Sequence, residues 1–240
     1  MTYIENVFIC MVSPLLIAAL CMGKKQLRFF LFCIAGMGVC LFSAYINTFF
    51  AAIYQSDELA AAVEIAPVTE EVMKLLPLLF YLLVFEPEPE RIKHAAITIA
   101  VSFATFENIC YLTQNGAGHF SLIFFRGFGT GAMHVVCGVI VGAGLAYAWQ
   151  RTWLKVAGTC GLLGAAITFH AIYNLLIAYG SRKSSFWNKK GVIADLFIRL
   201  SAAFLSPETS VLFHMDIKER KTGKKSKMNV KPEGNTELSR

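Results

Sequence analysis

Apolar runs close to 20 residues long recur along this chain, each long enough to cross roughly 30 Å of hydrocarbon as a helix. No other feature restricts the fold as much. A backbone in lipid must satisfy its own N–H and C=O groups, so a run of this length is a helix crossing the bilayer. The pattern predicts helices over 3–22, 27–54, 59–85, 95–113, 121–149, 154–179 and 191–213. Composition agrees: the 240 residues are 56% hydrophobic and only 16% charged, against about 25% charged in a soluble domain. The expectation is an all-α fold, a polytopic transmembrane helical bundle of about seven spans filling residues 1–213. The connections are short, and Glu86-Pro87-Glu88-Pro89-Glu90 reads as a solvated linker because closely spaced prolines do not continue a helix.

Charge outside the spans orients them. Lys24, Lys25 and Arg28 follow the first run, Arg91 and Lys93 the third, and Arg151 and Lys155 the fifth, while the second and fourth connections carry no positive residue. Positive residues collect on the cytoplasmic side. The N-terminus is therefore expected outside, and its first run is read as a retained span because no cationic region precedes it. Much of the +6 net charge sits in 218–227, so residues 214–240 are predicted to be a basic, disordered cytoplasmic tail beside anionic lipid. Nothing aromatic or motif-like accompanies that charge, and no nucleic-acid partner is expected. Arg182, Lys183, Lys189 and Lys190 break the alternation, and Asp195, Arg199 and Pro207 interrupt 191–213, which reads equally as an interfacial or broken segment. The seven cysteines lie in apolar runs without a Cys-x-x-Cys pair and read as small buried hydrophobes.

Charge inside the spans points to function, because an ionisable group at bilayer depth costs several kcal/mol on insertion scales. The third run carries Glu70, Glu71 and Lys74, with Lys74 within helical reach of both glutamates. The fourth places Glu107 and Tyr111 on one face, the fifth holds Arg126 and His134, and the sixth stacks His170 above Asn174. At 1.5 Å per residue, Glu70 lies about 15 Å, Glu107 about 9 Å, His170 about 14 Å and His134 about 20 Å from the outer ends of their spans. Four helices thus place polar groups from the outer half to the middle of the bilayer, where a shared site forms without distortion. Structural alternatives compete residue by residue: a neutralised pair at Glu70 or Glu71 with Lys74, a helix–helix hydrogen bond at His170 and Asn174, and a snorkelling Arg126. Gly127, Gly129, Gly131, Gly138 and Gly142 read as points of close helix approach rather than a phosphate loop, since no Gly-Lys-Ser/Thr follows them.

Two routes to peptide hydrolysis suit this inventory. In one, His134, His170 and a glutamate (Glu71) ligate a divalent metal such as zinc, and a second glutamate is the base for the bound water. In the other, a buried glutamate deprotonates water while His and Asn donors stabilise the oxyanion. No His-Glu-x-x-His signature selects the metal.

The residues resemble PrsW-type intramembrane proteases. Glu70-Glu71-Val72-Met73-Lys74 matches their Glu-Glu-x-x-Lys motif, Phe106-Glu107 with Tyr111 resembles the second, Arg126 with His134 the third, and His170 with Asn174 the fourth. The four occur in order over about residues 60–180, each on its own predicted helix. The resemblance implies a membrane-embedded endopeptidase of a bacterial cell membrane, related to the CAAX prenyl proteases and bacteriocin self-immunity proteins. Its substrate would be a membrane-anchored protein, such as an anti-sigma factor cut on its extracytoplasmic side. The catalytic set it implies is Glu70, Glu71, Glu107, His134, His170 and Asn174, with Lys74, Tyr111 and Arg126 in support. Glu107 stands where the prenyl-protease relatives have a histidine. Two other readings use the same residues: a non-catalytic membrane assembly subunit, and a small proton-coupled transporter.

Overall fold

The computed structural model describes residues 3–116, 120–151 and 154–182, all within one unit, Met1–Lys189. Every regular element among them is helical: α1 Ile4–Cys21, α2 Lys24–Tyr54, the single turn α3 Glu58–Ala60, a π-helical turn Ala61–Ile65, α4 Ala66–Phe85, α5 Pro89–Asn115, α6 Phe120–Ala148 and α7 Leu154–Arg182. Local chemistry places the ends. Gln55 and Glu86 take left-handed conformations (φ 50° and 42°) that stop α2 and α4. Asp57 accepts the Ala60 N–H at 2.7 Å and starts the third helical run.

Five helices are long and apolar enough to cross a membrane, over Ile4–Cys21, Gln26–Tyr54, Pro89–Asn115, Arg126–Ala148 and Leu154–Ala178. The expected count of about seven is met only in part. The third run is helical, but Glu70, Glu71 and Lys74 fall within the 20 residues of α4 and remove it from the apolar set. The expected segment 191–213 and the tail 214–240 lie outside the described residues. A second correction concerns the Glu-Pro linker. Pro89 opens α5 instead of delaying it to residue 95, because the first N–H groups of a helix need no intrahelical acceptor and a proline there forfeits nothing.

The usual inside–outside rule is partly inverted. Large apolar side chains such as Leu20, Phe80, Leu83, Phe128 and Val156 are exposed, while Glu70, Glu71, Lys74, His134 and His170 are buried. That distribution suits a hydrocarbon solvent. α4 sits against α2, α5 and α7; α6 packs between α5 and α7; α1 lies outside against α2. An apolar cluster of Met37, Cys40, Phe103 and Phe106 closes one side, sealed by Phe8 of α1, whose ring meets Phe106 edge-on at 5.7 Å. The α5–α6 contact depends on two missing side chains. A Cβ at Gly138 would stand 2.7 Å from the Ala100 methyl, and one at Gly142 equally close to that of Ala96. Gly129 is similarly tight against the Tyr173 hydroxyl, whereas Gly127 and Gly131 have nothing within 4 Å, so close approach does not explain those two.

The π turn has a traceable origin. The Ala66 N–H bonds back five residues to the Ala61 carbonyl. The next bond in that register would come from residue 67, a proline with no N–H. The Ala62 carbonyl so released accepts the Asn174 amide of α7 at 2.8 Å. π turns interrupt helices mostly at functional positions, and this one stands immediately before the helix that carries Glu70.

Candidate active site

Five helices supply the polar groups, and the bundle links His170, Glu71, Lys74, His134, Glu107 and Arg126 into one hydrogen-bonded chain. His170 Nδ1 lies 2.8 Å from Glu71 Oε1, and Lys74 Nζ lies 2.6 Å from the same oxygen. Lys74 also reaches His134 Nδ1 at 2.9 Å, and His134 Nε2 meets Glu107 Oε2 at 2.7 Å. Glu107 Oε1 takes the Arg126 guanidinium at 3.1 Å, and that guanidinium lies over the Tyr111 ring at 3.7 Å. The two imidazoles stand edge to face, 5.0 Å between centroids, with Phe103 tilted against His134.

These contacts give the two adjacent glutamates different situations. Spacing alone allowed Lys74 to pair with either, and it pairs with Glu71, which also accepts from His170. Glu107 is paired with Arg126. Glu70 has no lysine or arginine within 4.0 Å among the described residues. Its Oε2 instead faces His170 Nε2 at 3.9 Å and His134 Nε2 at 4.0 Å. Of the three carboxylates in the cluster, Glu71 has Lys74 and Glu107 has Arg126, and Glu70 is the one left with imidazoles alone.

Hydrogen-bond logic also separates the histidines. An ammonium has donors and no acceptor, so Lys74 donates to His134 Nδ1, and the His134 proton sits on Nε2, where it is donated to Glu107. His170 donates from Nδ1 to the Glu71 carboxylate, leaving the lone pair on Nε2 toward Glu70. His134 therefore presents an N–H and His170 presents a base.

One oxygen of Glu70 and one nitrogen each of His134 and His170 lie within 4.8 Å of one another. By donor type and spacing this set fits a divalent cation, with Glu71 as the carboxylate that fixes His170 from behind. The expected third ligand was Glu71; the carboxylate within reach of both imidazoles is Glu70. One feature resists the fit. His134 would have to release Glu107 and carry its proton on Nδ1, facing the Lys74 ammonium.

Each residue expected from the sequence has a definite place. Glu70, Glu71, Lys74, Glu107, Arg126, His134 and His170 join the network, and Tyr111 supports it through Arg126. The Asn174 amide is engaged with the Ala62 carbonyl instead. The three remaining histidines, near span ends or in connections by sequence, carry no site expectation; His94 is exposed, and His119 and His214 lie outside the described residues. Two participants escaped sequence reasoning. Asn47 of α2 donates to Glu70 Oε1 at 3.3 Å, and Thr69 meets the Asn47 carbonyl oxygen. The signals available were an amide, Asn47, within the apolar second run, and a hydroxyl, Thr69, directly before Glu70 in the third.

Comparison with known proteins identifies a family. No curated protein and no solved structure matches the chain. The family model described as PrsW family intramembrane metalloprotease matches residues 24–200, which include every residue of the network. On that match, the chain belongs to the PrsW family of intramembrane metalloproteases.

Proposed function

We propose that this chain hydrolyses a peptide bond of a membrane-anchored protein, with Glu70 as the group that takes a proton from the attacking water. The observation carrying the proposal is Glu70 Oε2: buried, without a lysine or arginine partner among the described residues, and facing both imidazoles at 3.9 and 4.0 Å. One water donating to two acceptors, each about 2.8 Å away, spans a separation close to that between Glu70 Oε2 and His170 Nε2. Water so held has its lone pairs free for attack and two bases to receive a proton. The His134 N–H, released from Glu107, is the donor for the oxyanion that forms on the substrate carbonyl. Glu71 and Lys74 hold the two imidazoles in these opposite tautomers, and Arg126 holds Glu107 in place. Glu70 then returns its proton to the leaving amine.

Glu70, His134 and His170 are also the residues that would hold a divalent metal, as the family's description implies. A bound metal would supply a more acidic water and a polarised carbonyl. A membrane-anchored anti-sigma factor, cut on its extracytoplasmic side, is the substrate that the motif resemblance favours.

The test is Glu70→Gln, made beside the wild type, with cleavage of a co-expressed single-span reporter measured in membranes. General-base loss predicts a fall of at least about 100-fold with normal accumulation of the variant. Unchanged cleavage overturns the assignment. Metal content of the purified protein and chelator sensitivity of cleavage separate the two forms of the water step.

A further inference from the structure

We infer that Asn47, held by Thr69, is a positioning residue for the Glu70 carboxylate, a role that rests on the reading of Glu70 given above. The terminal torsion of a glutamate is broad and nearly two-fold, so a carboxylate facing two imidazoles at about 4 Å is not oriented by its own rotamer preferences. Something must pin one oxygen for the other to be presented. Asn47 does so from α2, the helix that contributes no other polar group to the network: its amide Nδ2 donates to Glu70 Oε1 at 3.3 Å, leaving Oε2 toward His134 and His170.

An asparagine amide has two faces, and only one helps. With nitrogen toward Glu70 it donates; turned over, it sets a carbonyl oxygen against a carboxylate. The Glu70 carboxylate, which only accepts, takes the donor face. The other face, Oδ1, meets the hydroxyl of Thr69, the residue before Glu70 on α4. The hydroxyl has one proton and two competing acceptors, the Ile65 carbonyl at 3.0 Å and the Ala66 carbonyl at 3.1 Å. Both belong to the helical entry shaped by the π turn. Thr69, Glu70 and Asn47 thus form a closed set across two helices, buried or half-buried throughout. Deletion of groups that orient a reacting residue lowers activity by about 10–100-fold.

The experiment uses the full chain in detergent and reads melting temperature first, which needs no substrate. Asn47→Asp is nearly isosteric but replaces the donor by a second carboxylate and should lower the melting temperature. Adding Glu70→Gln to it exchanges donor and acceptor and should recover most of the loss. Simple additivity of the two changes overturns the inference, because a packing role for Asn47 predicts no such exchange.

Turnover is then measured on the single-span reporter. Asn47→Leu and Asn47→Asp should each lower kcat about 10–100-fold with KM within about twofold. Thr69→Val should lower it and Thr69→Ser restore it. Full activity in Asn47→Asp while Glu70→Gln is inactive rejects the positioning role alone. Full activity in Glu70→Gln rejects the reading of Glu70 itself.

Discussion

Helices α1 and α4 are of similar length, 18 and 20 residues, and each contains an internal proline, Pro14 and Pro77. They are stabilised in opposite ways. Of α1, only Ala19 is buried, and side chains such as Ile17 and Leu20 face outward. α4 buries nine residues, including Thr69, Glu70, Glu71 and Lys74. The bilayer itself satisfies α1, because an apolar side chain is as well off against lipid as against protein. α4 depends on partners from α2, α6 and α7, because its charges have no good solvent at that depth. α1 meets protein along one apolar stripe and lipid elsewhere, whereas each charge of α4 needs a named neighbour, and substitutions should expose that difference.

The largest effect is expected at the centre of the network. Lys74→Met keeps the shape of the side chain and removes the charge between Glu71 and His134. It leaves a buried carboxylate unpaired and should destabilise the protein by about 3–5 kcal/mol, with cleavage lost. Thermal unfolding in detergent checks it, and a melting temperature unchanged from wild type would remove the contrast with α1. An intermediate effect is expected where α7 meets the π turn. Asn174→Ala leaves the Ala62 carbonyl without its donor, a cost of about 1–3 kcal/mol, and cleavage should fall as the start of α4 loosens. If activity falls while stability is unchanged, Asn174 acts on substrate rather than on the backbone. The smallest effect belongs to α1: Leu20→Ala removes an outward-facing side chain and should change stability by less than about 0.5 kcal/mol. A larger loss would show that Leu20 itself is held by a partner rather than by lipid.

Much of this organisation was legible in the sequence. Helix positions followed from the length of apolar runs, a signal that survives without any knowledge of packing. Pro89 was misplaced because a proline that ends one helix and a proline that begins another look alike until the following turn is seen. The charged and imidazole members of the network were legible as a group, since each is a group that lipid alone would exclude. Their pairing was not. Lys74 lies within helical reach of both Glu70 and Glu71, and only His134 and His170, arriving from other helices, decide which glutamate is neutralised. Asn47 carries no such signal, because a neutral amide within an apolar run is inexpensive enough to be unremarkable until its partner is known. Asn174 carried a motif-based expectation of direct chemistry, yet its amide serves a backbone carbonyl that the Ala66–Pro67 step leaves open.

By itself, then, the sequence determined the solvent, the helical class and the set of groups that cannot be indifferent to burial. These follow from transfer energies, which depend on composition and run length. Tertiary structure alone decided which carboxylate lacks a lysine or arginine neighbour, which partner each imidazole nitrogen meets, and which amide contacts Glu70. Those are properties of distances between helices far apart in the chain, and hydrogen bonds and ion pairs fall off within a few tenths of an ångström to a few ångströms.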